Sequence, residues 1–360
     1  MTGTSADGID AALVRFEQDQ PQTVASCFSP YPARLREQII SLSRRTQVGI
    51  DALFALDNAI ADQHSEAVSQ LLMKAGVSTT QVTAIGFHGQ TLHHHPDGDS
   101  PFTVQSGNPA RLAALTGIDV IADFRRADMA QGGQGAPFAP ALHDTLLRTP
   151  GKTTVVLNLG GIANITVLRD GDDVIGFDTG PANALMDDWI GAQLGRSHDH
   201  NGQWAAGGRV NSALLNRMLA DPYFSRGWPK STGRETFNLH WLETQLAGLT
   251  EKPPAQDIQA SLLELTAVTV ADAISAAAPD CRQIITCGGG VHNLQLIKRL
   301  GAHLPGATIR RSDELGVDSD YLEAVLMAWL AQRFLQRLPG NLPSVTGARR
   351  AVICGALYPA

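Results

Sequence analysis

Short apolar runs alternate along the chain with segments in which apolar residues recur every three or four positions. Helical spacing from Leu53 to Leu72, followed by Gly76, predicts a helix over residues 50–75. Similar spacing predicts helices over 33–46, 109–116, 139–147, 182–190, 255–278, 293–300 and 321–338. Apolar runs predict strands over 11–16, 82–87, 102–105, 118–122, 153–159, 162–168, 173–177 and 282–287. This mixture of strands and helices predicts an α/β fold.

One of the predicted strands leads directly to an aspartate. Asp178 follows the apolar run 173–177, and Gly180 and Pro181 come directly after it. We therefore expect the strand to stop at Asp178 and the chain to turn before the next helix. A carboxylate held rigidly and partly dehydrated in this way suits a general base. Asp is also a favoured N-cap residue, so the stretch alone leaves open a purely structural role at the start of that helix.

Three glycine-rich turns indicate close contact with phosphate or nucleotide. The first turn lies within residues 1–10. It offers backbone N–H groups and hydroxyls to an anion, and Asp7 or Asp10 is available for a metal-bound water, although an ordinary hairpin loop fits as well. The second turn, Gly160 and Gly161, repeats the strand–turn–strand device about 150 residues later, which suggests a duplicated fold with two phosphate loops. The third follows a strand and leads to a helix, a good element for nucleotide contact; it comprises Gly288, Gly289 and Gly290.

Other polar residues occupy predicted strand ends and helix starts. His88 and the segment 123–126 follow separate strands, so we expect them at one edge of a parallel sheet. Glu323 lies in the first turn of an apolar helix, where it either favours the helix N-terminus or points into a cleft. Lys230 and Arg234 could meet a phosphate or be solvated surface charges. The adjacent histidines 93–95 point in different directions on an extended segment, so a metal cluster there is improbable.

Composition limits the classes of protein to consider. With 360 residues, 43% of them hydrophobic, the chain can build two ordinary domains. Its net charge of -7 does not indicate a nucleic-acid groove or a membrane-surface patch. No apolar run is long and continuous enough to span a bilayer, and no signal-peptide pattern opens the sequence. The four scattered cysteines are typical of buried thiols in a reducing cytoplasm, so we expect a cytoplasmic protein.

Several of these stretches together resemble one enzyme family, the anhydro-N-acetylmuramic acid kinases of bacterial cell-wall recycling. The resemblance covers essentially the whole chain. It rests on the residue runs Gly3–Asp10, His88–Thr91, Ala122–Arg126, Gly132–Pro137, Asn158–Asn164, Gly176–Pro181 and Cys287–Gly290.

The resemblance implies two RNase H-like domains around a central cleft, as in the sugar kinase, Hsp70 and actin superfamily. We place the domains at residues 1–130 and 131–345, with 346–360 as a C-terminal tail packing back on them. The Gly132–Gly135 segment would be a flexible joint that lets the domains close around ATP and sugar. The resemblance further implies ATP and Mg²⁺ as cofactors and a homodimer. The reaction it implies converts 1,6-anhydro-N-acetylmuramate, ATP and water into N-acetylmuramate 6-phosphate and ADP.

The resemblance also assigns roles to residues. Asp178 is implied as the catalytic base, with Glu323 as a sugar-contacting carboxylate near it. Substrate binding is expected from His88, Gln90, Asp123 and Arg125, and Asp7 is expected to face the metal through a water. ATP binding is expected from the three glycine-rich turns: Gly3, Thr4, Ser5, Ala6, Asp7, Gly8, Ile9, Asp10, Gly160, Gly161, Gly288, Gly289 and Gly290.

The sequence departs from the family pattern in four places. Ala127 stands where a third arginine is common, His93 where an arginine is common, and Ala182 where glycine is common. A strand of about six residues typically precedes the Gly-Thr-Ser turn, and its absence before Gly3 leads us to expect a start upstream of Met1 rather than a tolerated gap.

Two other functions remain open. A sugar hydrolase would use Asp178 and Glu323 as a carboxylate pair, but it would leave the glycine turns unexplained. A non-catalytic nucleotide sensor would be expected to lack Asp178 or Asp7, and both are present.

Overall fold

The fold is described from a computed structural model, which describes residues 1–3, 6–45 and 47–360. The strands are β1 Gly8–Glu17, β2 Gln20–Pro30, β3 Ile85–Gly86, β4 Gln90–His95, β5 Phe102–Ser106, β6 Val120–Ala122, β7 Thr154–Leu159, β8 Ile162–Leu168, β9 Ile175–Pro181, β10 Gln283–Cys287, β11 Thr308–Arg311 and β12 Ala356–Tyr358.

The helices account for much of the remaining chain. They are α1 Ala33–Ser43, α2 Ile50–Ala75, α3 Pro109–Thr116, α4 Arg126–Met129, α5 Ala139–Leu147, α6 Asn183–Leu194, α7 Gln203–Gly207, α8 Ser212–Leu219, α9 Pro222–Ser225, α10 Leu239–Ala247, α11 Ala255–Ala277, α12 Leu294–His303, α13 Leu322–Leu335 and α14 Pro343–Thr346. Short 3₁₀ turns cover Thr79–Gln81, His200–Gly202, Gly289–His292 and Ser312–Leu315.

The chain forms two compact units. Unit 1 comprises Met1–Thr145 and Tyr321–Ala360, and unit 2 comprises Leu146–Asp320. The predicted domains change at residues 130 and 345 instead, and that division stays a prediction. The Gly132–Gly135 segment, expected to be a flexible joint, lies within unit 1, where Gln134 N–H donates to Thr346 O at 2.8 Å.

Unit 2 is built on one five-stranded sheet in the order β11-β10-β7-β8-β9. β7, β8 and β9 form an antiparallel meander, and β10 runs parallel to both β7 and β11. This is the RNase H-like strand order. Helix α11 packs on the sheet and is long and apolar enough to cross a membrane by length and composition, but 72% of its apolar window is buried inside the protein, as in a core helix.

Unit 1 distributes its strands over smaller sheets. β1 and β2 form an antiparallel hairpin, β4 and β5 form another, and β6 pairs with parallel β3 and antiparallel β12. Helix α13 packs against β1 and β3, and α2 packs against β1 and β2. The α/β class is therefore confirmed in both units.

Local sequence explains where several helices begin and end. α3 starts at Asn108, whose side chain accepts from the Arg111 N–H, and Pro109 fills the first helical position. α2 ends at Gly76 with φ +66°, a left-handed conformation that glycine adopts without a steric penalty. Both helices match their predicted bounds.

Gly86→Ala should destabilise unit 1. An added Cβ would lie 2.0 Å from Met327 O and 2.5 Å from Met327 C. These atoms belong to the backbone of α13 and cannot swing away as a flexible side chain would, and overpacking typically costs about 1–3 kcal/mol. Thermal and urea unfolding should both show a lower midpoint.

Gly49→Ala serves as the control in the same unit. A Cβ at Gly49 meets no atom within 4 Å, and its φ of -66° suits any residue. Gly49 is the N-cap residue of α2, where alanine is less favourable than glycine, so the midpoint should fall, but by less than in Gly86→Ala. Equal midpoints for the two variants would show that β3 does not need glycine at this contact.

Candidate active site

Asp178 lies within strand β9 rather than at its end. β8 pairs with β9 as far as Ile162 opposite Pro181, and the register shifts between Ala163 and Asn164, so that Asn164 faces Asp178. The expectation that the strand stops at Asp178 is therefore wrong, because β8 supplies backbone partners beyond it. The capping role is also wrong: Ala182 occupies the N-cap position of α6, and no side chain caps that helix.

Protein groups surround the Asp178 carboxylate closely. Burial raises its pKa to about 6, while the Thr232 N–H, which donates to Oδ2 at 2.9 Å, lowers it and Glu235 raises it. Backbone contacts also fix the residue: its N–H donates to Lys230 O at 3.1 Å, and its carbonyl accepts from the Tyr223 hydroxyl at 2.7 Å. A rigid carboxylate with a pKa near neutrality can accept a proton under physiological conditions.

His88 and Arg125 meet in unit 1. Arg125 Nε and Nη2 lie 3.1 and 2.9 Å from His88 Nε2, and Nη1 donates to Gly135 O at 2.9 Å. The pKa of His88 lies well below its ordinary value, mainly because the ring is buried and also because Arg125 is close to it, so the ring is neutral. His88 Nδ1 lies 2.7 Å from Gly89 O and must carry the proton there, which leaves Nε2 to accept from Arg125.

Glu323 lies in the same unit as Arg125. Water reaches its side chain, but the surrounding protein desolvates the carboxylate, which raises its pKa, while Arg125 acts to lower it. Burial lowers the pKa of Arg125 to about 10, and Glu323 acts in the opposite direction. Arg125 therefore interacts electrostatically with both His88 and Glu323, which are far from it in the sequence.

Gln90 and Asp123 occupy constrained positions in unit 1. Gln90 is 1% exposed and donates through Nε2 to Gly3 O at 3.0 Å, while its Oε1 has no hydrogen-bond partner in the described part of the chain. Asp123 has a φ of 59°, uncommon for a residue with a side chain. Burial raises the pKa of Asp123, and its Oδ1 lies 3.5 Å from Arg126 Nε.

The first glycine-rich segment is only partly a turn. β1 begins at Gly8, and the side chains of Ala6 and Ile9 are 1% and 2% exposed in the core, so they cannot reach a ligand. Asp7 is exposed, which fits a contact with a metal through water. Thr4 and Ser5, predicted to bind ATP, lie outside the described residues.

The two glycine turns of unit 2 differ in what surrounds them. A Cβ at Gly290 would lie 2.6 Å from Leu159 Cβ, whereas one at Gly289 would meet nothing within 4 Å. Gly288 has a φ of +81°. Gly160 O and Gly161 O accept from backbone N–H groups at the start of α6. Backbone at Gly289 is therefore open to a flat ligand.

The structure adds residues that sequence reasoning missed. Tyr223 and Thr232 contact Asp178 from 45 and 54 positions away, so no local pattern could reveal them. Burial raises the pKa of Asp187 on α6 to about 7, with Arg234 opposing and Asp188 and Asp199 reinforcing the shift. Among the described residues, no group of three or more His, Cys, Asp or Glu side chains could hold a metal ion.

A buried carboxylate, Asp128, holds the backbone segment that Arg125 contacts. Asp128 is 0% exposed and accepts from Gly135 N (2.8 Å), Asn341 Nδ2 (2.6 Å) and Thr346 Oγ1 (2.7 Å). Because Gly135 also accepts from Arg125 through its carbonyl, Asp128 fixes the backbone on which the guanidinium rests.

Asp128→Ala should cost stability in unit 1. It leaves three donors without their acceptor, and each buried unpaired group typically costs about 1–3 kcal/mol, so the total should exceed about 3 kcal/mol. Urea unfolding measures this loss. Asp62→Ala, which breaks an exposed pair with Arg111, should cost less than about 1 kcal/mol. Similar losses in the two variants would contradict the role given to Asp128.

Comparison with known proteins adds independent information. The family model for anhydro-N-acetylmuramic acid kinase matches residues 1–360. An anhydro-N-acetylmuramic acid kinase from Pasteurella multocida (strain Pm70) is 48% identical, covering 100% of this chain and 95% of the relative. A protein of the same name from Coxiella burnetii (strain Dugway 5J108-111) is also 48% identical, covering 99% and 96%.

Solved structures resemble the chain more distantly. Component A of the Acidaminococcus fermentans (R)-2-hydroxyglutaryl-CoA dehydratase gives a TM-score of 0.44 at 11% identity, covering 88% of this chain and 91% of that one. Xylulose kinase from Rhodospirillum rubrum gives 0.33 at 16% identity, covering 62% and 48%. Scores this low support no conclusion, and the fold rests on the strand order of unit 2.

Proposed function

Since the chain belongs to the anhydro-N-acetylmuramic acid kinase family, we propose that it opens 1,6-anhydro-N-acetylmuramic acid with water and phosphorylates it from ATP. The products are N-acetylmuramate 6-phosphate and ADP. The observation that carries the proposal is Asp178, a rigidly held carboxylate whose pKa is raised by burial to about 6.

The anhydro bridge dictates the order of bond changes. It ties O6 to C1, so the sugar has no free 6-hydroxyl to phosphorylate. Asp178 takes a proton from a water as that water attacks C1, and the C1–O6 bond breaks with its electrons going to O6. O6 then attacks the γ-phosphorus, and the bond to the bridging oxygen of ADP breaks. The proton on Asp178 returns to solvent.

The remaining roles concern binding and charge. We assign the sugar to His88, Gln90, Asp123, Arg125 and Glu323. Because His88 is neutral and its Nε2 already accepts from Arg125, its part is to orient that guanidinium rather than to move a proton. Arg125 keeps a positive charge that can face an anionic group.

Nucleotide contacts are assigned to the glycine-rich segments. The open surface at Gly289 supports contact with a base or ribose. Mg²⁺, when bound, neutralises phosphate charge during the transfer, which depends mostly on positioning and electrostatics. Asp7 would face it through a water, and its exposure fits that role. We further propose a cytoplasmic location and a homodimer, and light scattering on the purified protein would test the oligomeric state.

ADP release separates this function from its alternatives. A kinase releases ADP only when both the anhydro-sugar and ATP are present. A sugar hydrolase would open the ring without ATP, and a sensor would bind ligands without turnover. Either of those results would replace the proposal.

Asp178→Asn should lower turnover by orders of magnitude and leave ATP binding intact. Asparagine keeps the shape of the side chain but cannot take the water proton, and general-base catalysis typically contributes about 10²–10⁴-fold. Asp173→Asn makes the same chemical change at an exposed residue before β9 and should turn over normally. Near-normal turnover of Asp178→Asn would remove this residue from the role.

The pH profile should report the same carboxylate. The base must be ionised, so kcat/KM should fall about tenfold per pH unit below pH 6, in keeping with the raised pKa of Asp178. Measurements from pH 4.5 to 8 with saturating ATP define this acid limb. A limb near pH 4, the ordinary value for an aspartate, would mean that burial does not control the base.

A further inference from the structure

β9 is the last strand of its sheet and pairs with β8 on one side only. Residues 228–235, which we call the strap, reach its other side. The Asp178 N–H, which would otherwise point outward from the sheet edge, donates to Lys230 O on the strap. The strap thus extends the sheet locally at the residue proposed as the base.

The strap also reaches the carboxylate. Thr232 N–H donates to Oδ2 of Asp178 at 2.9 Å. The other oxygen, Oδ1, has no hydrogen-bond partner in residues 1–3, 6–45 and 47–360. One oxygen is therefore held by the strap, and the second remains for a water.

Side chains anchor the strap before and after Thr232. The Trp228 ring stacks on Phe177, with centroids 5.2 Å apart and planes within 6°. Lys230 Nζ donates to the carbonyls of Tyr223 and Phe224 at 3.2 and 3.3 Å. Beyond Thr232, Arg234 pairs with Asp188 at 3.5 Å.

We propose that Trp228 and Lys230 are positioning residues that hold the Thr232 amide on Asp178 and so fix the orientation and basicity of that carboxylate. The inference rests on the proposed function, since it assumes that Asp178 is the base. Neither anchor needs to touch a substrate. Trp228 is 43% exposed, so its removal leaves the core of unit 2 intact.

The groups around Asp178 determine whether its pKa rises or falls when the Thr232 amide is lost. Glu235 raises the pKa of the carboxyl, Tyr223 contacts only its backbone carbonyl, and the Lys230 ammonium lies over the Tyr223 ring at 4.8 Å. The Thr232 N–H is the neighbour that favours the ionised form. If the Thr232 amide moves off the carboxylate while the burial and Glu235 remain, the pKa of Asp178 rises, and less of the base is ionised at neutral pH.

Trp228→Ala should move the acid limb of kcat/KM upward by about 0.5–1 pH unit and lower turnover at pH 6.5 about three- to tenfold. The dissociation constant for ATP should not change. Trp228→Phe, which keeps a ring on Phe177, should return the limb toward its original pH. Lys230→Met should shift the limb in the same direction as Trp228→Ala.

A second pair of variants acts on the amide itself. Thr232→Pro removes the N–H and should shift the limb at least as far, whereas Thr232→Ala keeps it and should not shift it. The Thr232 hydroxyl has no partner among the described residues, so the alanine variant breaks no hydrogen bond.

The outcomes distinguish the two levels of the proposal. A fall in turnover without a shifted limb in Trp228→Ala and Thr232→Pro would make the strap merely structural and overturn the inference. That result leaves the proposed function standing if Asp178→Asn is inactive. An active Asp178→Asn would instead overturn the proposed function, whatever the strap variants do.

Discussion

A carboxylate taken out of water needs hydrogen-bond donors, and Asp128 and Asp178 each find theirs within the unit that buries them. An unpaired buried charge costs far more than most single interactions contribute. In unit 1 the constraint is met for Asp128 by one backbone N–H and two polar side chains. In unit 2 it is met for Asp178 by one N–H on the carboxylate.

The difference between these two aspartates explains their different roles. Asp128 has no exposed surface and three donors, so both oxygens are committed and the side chain can only hold structure. Asp178 is less deeply buried than Asp128 and has one donor, so one oxygen stays available, and burial raises its pKa to about 6 against the lowering effect of that donor. Incomplete satisfaction, rather than burial alone, is what leaves a carboxylate reactive.

Sequence periodicity predicted the elements whose causes are local. α2, α3 and β8 occur where apolar spacing, caps and turn glycines placed them. The surroundings of Asp178 could not be predicted, because the bulge opposite Asn164 and the amide of Thr232 depend on pairing between distant segments. For the same reason, the local pattern left Lys230 open as a phosphate contact, whereas its ammonium donates to two carbonyls of its own unit.

Packing within a unit explains some of the glycines but not all of them. At Gly86 and Gly290 a side chain would strike Met327 or Leu159, so packing within each unit accounts for the glycine. At Gly289 a Cβ would meet nothing, and the backbone conformation does not require glycine. Openness alone does not distinguish Gly289, because Gly49 is equally open. Gly289 begins a short 3₁₀ turn one residue after the end of β10, and α/β proteins place nucleotides at this end of a sheet. The proposed nucleotide contact at Gly289 therefore rests on the place of this turn in the fold rather than on the openness of the glycine.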